Sequence, residues 1–233
     1  MKRWNFILAL IVTLIACFAC GIKLWLAYDL WAIACYAAIF LALPFASLLH
    51  ELGHMLFGAI FKIKTVPKFS LFGSSCVRLI PKTDERLRPK LFFTAAGGLA
   101  VNLIIIFISS MPLYYSGLPT WLCVFLPSSV YLYILNDVPA KNTDGLVCNN
   151  LLYNNDEGKV MVAVLTVQAQ VLNGKPIGEV DESLLFDLPQ IEEDDQSFIA
   201  LTELRYEYCK AKGEEERAQA YKDRFDELRE AYL

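Results

Sequence analysis

Four apolar runs, at about 5 to 22, 30 to 61, 91 to 112 and 119 to 136, occupy most of the first 136 positions of the chain. Each has, or nearly has, the roughly 17 to 25 residues that a helix needs to cross a bilayer. Inside hydrocarbon every backbone N–H and C=O must be satisfied within the protein, which leaves helices as the available form for runs of this length. Composition agrees. The chain is 56% hydrophobic and 20% charged, more apolar than the roughly 45 to 50% of a soluble globular domain. The expectation is an all-α polytopic membrane protein with about four transmembrane helices.

Charge divides the chain in two. Residues 1 to 149 hold 12 Lys/Arg and 6 Asp/Glu, whereas residues 150 to 233 hold 9 and 19. The shift from +6 to −10 coincides with a fall in hydropathy and marks a domain boundary near 150. Three regions follow: 1–29, a first spanning helix and short external loop; 30–150, a membrane-embedded core; and 151–233, an acidic helical domain. Orientation comes from Lys and Arg. Lys2 and Arg3 precede the first run, and the 62–90 loop carries eight positive residues (Lys62, Lys64, Lys68, Arg78, Lys82, Arg86, Arg88, Lys90). By the positive-inside rule both termini and this loop face the cytoplasm of a multi-pass cell-membrane protein.

The N-terminal stretch MKRWNFILALIVTLIACFAC has the basic start and apolar core of a signal peptide, and its LIAC resembles a lipoprotein cleavage box. Its apolar run exceeds the ~7 to 15 residues of a signal core, which favours a retained helix. Seven cysteines, at 17, 20, 35, 76, 123, 148 and 209, form no framework of disulfide spacings. Within the basic loop, IKTVPKFSLFGSSCVRLI alternates β-prone residues around FGSS, which predicts a membrane-associated β-hairpin between the second and third runs. Beyond 150, KVMVAVLTVQAQVLNGK predicts a helix closed by Asn-Gly, followed by the acidic linker LPQIEEDDQ. Two helices then pair across AKGEEE, with Phe198, Leu201, Leu204 and Tyr208 on one face of the first and Ala218, Tyr221, Phe225 and Leu228 on one face of the second. The pair looks a little like one tetratricopeptide unit, and one copy makes no array.

The second run contains LLHELGHMLF, residues 48 to 57, and with it both histidines of the chain. On a helix, positions i and i+4 lie on one face about 5 to 6 Å apart, so His50 and His54 can turn to one metal ion with Glu51 beside it. H-E-x-x-H on a helix is the arrangement of zinc hydrolases, where the glutamate is the general base. Polar and ionisable groups inside a spanning helix are costly, about 2.5 to 3.5 kcal/mol at its centre on insertion scales, and usually mark a function. A catalytic zinc site takes three protein ligands. With no third histidine, a carboxylate or cysteine must supply the last, and Asp137 and Asp144 in YILNDVPAKNTDGLV are the candidates.

These residues resemble the site-2 protease family, intramembrane zinc metalloproteases. His50, Glu51 and His54 match its H-E-x-x-H, and Asn136, Pro139, Asp144 and Gly145 match its N-x-x-P followed by D-G. The likeness covers residues about 30 to 150 and implies that Asp144, rather than Asp137, is the third zinc ligand. A looser element is G-P-x-x-N, where AAGGLAVN aligns Gly98 and Asn102 but has Leu99 in place of proline. Gly98 reads as a packing residue. Asn102 and Asn136 are candidates for contacting substrate or a transition-state oxygen, and Pro139 and Gly145 are structural members of the motif.

The resemblance implies a zinc-dependent intramembrane endopeptidase with one Zn²⁺ per chain. Its substrates would be transmembrane or membrane-anchored proteins, cut in or near their spanning segments. A cytoplasmic regulator docking on 151–233 is a further expected partner, and no nucleic acid is expected. An unwound substrate could add as a strand to the predicted hairpin. The rival readings are a catalytically inactive relative that binds or regulates and, less favoured, a proton-coupled transporter.

Overall fold

The computed structural model describes residues 2–68, 76–82, 85–141 and 143–232. It is mostly helical with one small sheet, and the chain divides into two compact units. Residues 1–61, 65–78 and 93–149 form the first, and residues 62–64, 79–92 and 150–233 the second.

The chain starts with α1 (Lys2–Tyr28), turns through a short 3-10 segment (Asp29–Trp31) and continues as α2 (Ala32–Ile60). Asp29 opens that turn with a left-handed φ of 48°, a conformation that Asp tolerates better than most residues. Tyr36 ties the two helices by donating its hydroxyl to the Cys17 carbonyl at 3.0 Å. Pro44 lies inside α2, six residues before His50. It supplies no N–H to the carbonyl one turn earlier, which is where helices bend.

Strands β1 (Ile63–Lys68) and β2 (Cys76–Pro81) pair as a two-stranded sheet. They fall where the alternation predicts a hairpin, while FGSS lies outside the described residues. Then α3 (Leu87–Tyr114) follows. Among the described residues, two stretches are long and apolar enough to cross a membrane: Trp4–Ile39, which runs through α1 into α2, and Leu87–Tyr114. Large apolar side chains remain exposed along both, including Trp4, Phe18 and Leu26 on α1 and Ile104 and Phe107 on α3.

Among the described residues two such stretches stand where the sequence predicts about four spanning helices. The run at 119–136 splits into a 3-10 segment (Thr120–Phe125) and α4 (Leu126–Asp137), a helix of 12 residues. At 1.5 Å per residue α4 is about 18 Å long, well short of the ~30 Å hydrocarbon core. It packs instead against α1 and α2. Ser128 donates to the Ile39 carbonyl at 3.2 Å, and Cys20, Cys123 and Leu126 are buried together. Apolar character here serves burial within the unit.

After α4, α5 (Asp144–Tyr153) begins with the D-G of the sequence motif. Arg88 donates from its guanidinium to the Leu151 and Leu152 carbonyls at 2.6 and 2.7 Å, supplying charged donors where the last carbonyls of a helix have no backbone partner. In the second unit, α6 (Asp156–Leu172) is capped by Asn155, whose side chain accepts from the Gly158 N–H. A short α7 (Ser183–Phe186) precedes the acidic linker. The final pair is α8 (Gln196–Lys212) and α9 (Glu215–Tyr232). Asp195 caps α8, and Gly213 closes it with φ 76°, a left-handed position that favours glycine. Val160, Val167, Leu185, Leu201, Leu204, Tyr208 and Ala218 share one core. The predicted helix faces supply much of it.

Candidate metal centre

Helix α2 carries His50 and His54 one turn apart, and their rings stand nearly perpendicular, at 88° with centroids 4.8 Å apart. Both are buried, at 4% and 6% exposure, as is Glu51 at 5%. Asp144, the first residue of α5, turns its carboxylate to the pair. Its Oδ2 lies 2.9 Å from His50 Nε2 and 3.3 Å from His54 Nε2, and the two Nε2 atoms are 3.2 Å apart. Among the described residues this is a group of three side chains able to hold a metal ion.

The donor set fits a tetrahedral ion. Ligands about 2.0 to 2.1 Å from a zinc ion stand about 3.4 Å from each other, close to the three separations found here. Tautomer supports the fit. His54 Nδ1 is 2.9 Å from the Thr94 carbonyl, which can only accept, so this nitrogen carries the proton and a neutral ring leaves Nε2 bare. Second-layer acceptors of this kind orient metal-binding histidines. The Asp144 carboxylate and the bare His54 Nε2 thus face one point, and His50 Nε2 completes the group there.

Helix α3 comes unusually close to this point. A Cβ at Gly98 would stand 2.5 Å from His54 Nε2 and 2.7 Å from His50 Nε2, so the residue that reads as general packing in the sequence leaves room for the two imidazoles themselves. One residue earlier, Gly97 meets Gly53 of α2 backbone to backbone, a Cβ at Gly53 lying 2.5 Å from the Gly97 carbonyl oxygen. The glycines of HELGH and AAGG thus bring α2 and α3 into contact at the site.

Asn102, four residues beyond Gly98, is fully buried and its Nδ2 lies 2.9 Å from His50 Nδ1. Gly145 is buried at the start of α5, where a Cβ would lie 2.0 Å from the Asp137 carbonyl oxygen, so α5 can begin at this point only with glycine there. Pro139 is exposed in the α4–α5 connection, and Asn136 is half-buried in the last turn of α4, its backbone carbonyl facing Gly145. Asp137 is exposed, and the metal-holding group includes Asp144 and not Asp137. Two features escape the sequence: the Thr94 carbonyl, which is main chain and carries no residue signature, and the contact of Asn102 with His50. No protein-family model matches the chain, and no curated protein or solved structure is significantly similar to it.

Proposed function

We propose that the protein is a zinc-dependent endopeptidase of the site-2 protease type, embedded in the cell membrane and acting on membrane-spanning or membrane-anchored protein substrates. The observation that carries this reading is the convergence of His50 Nε2, His54 Nε2 and Asp144 Oδ2 beside the buried Glu51. When bound, zinc supplies a Lewis acid for the scissile carbonyl and brings a water near ionisation at neutral pH. Glu51, on the same helix turn as His50, accepts the proton of the attacking water and returns it to the leaving amine. His54, oriented by Thr94, and Asp144, fixed by the turn at Gly145, hold their donors at the common point. The many exposed large apolar side chains of α1 and α3 favour lipid as their surroundings, because extensive exposed apolar surface is rare on soluble monomers. The Lys/Arg distribution favours cytoplasmic termini.

A helical substrate hides its carbonyls in its own hydrogen bonds and must open locally before hydrolysis. The β1–β2 sheet offers strand edges on which an opened segment can satisfy its backbone. The test is Glu51→Gln. Purified in detergent and assayed in proteoliposomes against a panel of labelled single-span segments, it is expected to hold zinc at the wild-type ratio and cleave none that the wild type cleaves. Equal cleavage by the variant and the wild type would remove Glu51 and the mechanism with it.

A further inference from the structure

The metal reading requires both histidines to offer Nε2, and a neutral imidazole that does so carries its proton on Nδ1. His54 has the Thr94 carbonyl to receive that proton. At His50 the group within hydrogen-bonding distance of Nδ1 is the Asn102 side-chain amide, 2.9 Å away on α3. Asn102 is completely buried, and its Oδ1 has no hydrogen-bond partner among the described residues.

With Nδ2 facing the ring, the amide donates to His50 Nδ1, and the ring proton resides on Nε2, from which it is donated to Asp144 Oδ2 at 2.9 Å. That arrangement is self-consistent without a metal. It also blocks His50 as a ligand, because the proton sits on the coordinating nitrogen. A half-turn of the amide exchanges two ends of nearly equal shape and size. The unpartnered Oδ1 then accepts Nδ1–H, and His50 Nε2 is freed. Nδ2 then becomes the end to be satisfied.

We infer that Asn102 is a positioning residue that selects the metal-binding tautomer of His50 by presenting its amide oxygen to Nδ1. This rests on the metal-centre reading above and assigns Asn102 a role distinct from contact with substrate or with a transition-state oxygen. Partners of this kind change metal affinity by about 10- to 100-fold when removed.

The experiment uses the full chain in detergent, with zinc affinity measured by competition against a chromophoric chelator for wild type, Asn102→Leu and Asn102→Asp. Asn102→Leu is expected to bind zinc about 10- to 100-fold more weakly, and Asn102→Asp, which offers oxygen at both ends, to match the wild type or exceed it. Asn102→Leu with wild-type affinity but lost cleavage would overturn the inference in favour of a role at the reacting carbonyl, and weakening of both variants alike would also overturn it. Because the chain has two histidines, ¹⁵N-histidine spectra of the zinc-loaded wild type give a check that needs no variant. Both rings are expected to carry Nδ1–H, and metal on His50 Nδ1 would refute the assignment. A wild type that takes up no zinc would overturn the metal-centre reading and this inference together. Zinc uptake by the wild type and Asn102→Leu alike would overturn the inference alone.

Discussion

Gly98→Ala sets two effects of opposite sign against each other. In a helix interior alanine is favoured over glycine by about 0.8 to 1.0 kcal/mol, so propensity alone predicts a slightly more stable α3 and an unchanged site. Geometry predicts the reverse. The added methyl would stand 2.5 Å from His54 Nε2 and 2.6 and 2.7 Å from His50 Cε1 and Nε2, where ordinary contact begins at 3.4 Å. Relief requires a displacement of about 1 Å by the rings, or by α3 away from α2, which would open the close Gly53–Gly97 contact. Overpacking of this kind costs about 1 to 3 kcal/mol, which corresponds to about 5- to 150-fold in a binding constant at 1.4 kcal/mol per decade. Zinc competition against a chelator on the detergent-solubilised chain reads this directly, with Gly117→Ala as control because nothing lies within 4 Å of a Cβ there. Wild-type zinc affinity in Gly98→Ala, together with a raised melting temperature, would show that α3 does not approach the imidazoles this closely.

Asp144→Asn is expected to lower zinc content, measured by elemental analysis, whereas Asp137→Asn keeps it, since Asp137 is exposed and outside the cluster; equal loss in both would remove the distinction between them. Leu185→Ala opens a cavity at a fully buried position in the core of the second unit and should destabilise it by about 2 to 5 kcal/mol. Thermal unfolding followed by hydrogen exchange on α6 and α8 would register that loss, and unaltered protection there would contradict the packing described.

What could be read along the chain is what short-range geometry dictates. The i, i+4 spacing places His50 and His54 on one face of a helix whatever the rest does, and the 3.6-residue period marks Leu201, Leu204, Tyr208 and Ala218 as core positions. Gly213, in the AKGEEE break, and the Asn-Gly after Leu172 announce helix ends through backbone preference. Hydropathy misled at 119–136, because an apolar run reports burial without saying whether lipid or protein covers it. A 3-10 segment and a 12-residue helix packed on α1 and α2 satisfy the same composition.

The sequence by itself determined the donor types, the histidine pair and the neighbouring glutamate, since these depend on residue identity and helical pitch. Spacing left Asp137 and Asp144 both open and the family likeness pointed to Asp144; the contact itself is tertiary, because His50 and Asp144 are 94 positions apart and meet where the turn at Gly145 sets α5. Only the tertiary structure decided that Gly98 leaves space for imidazoles, that a main-chain oxygen at Thr94 fixes one tautomer and that Asn102 faces the other ring. Each of these is a distance between helices, set by backbone approach at Gly53 and Gly97, and one-dimensional spacing does not encode it.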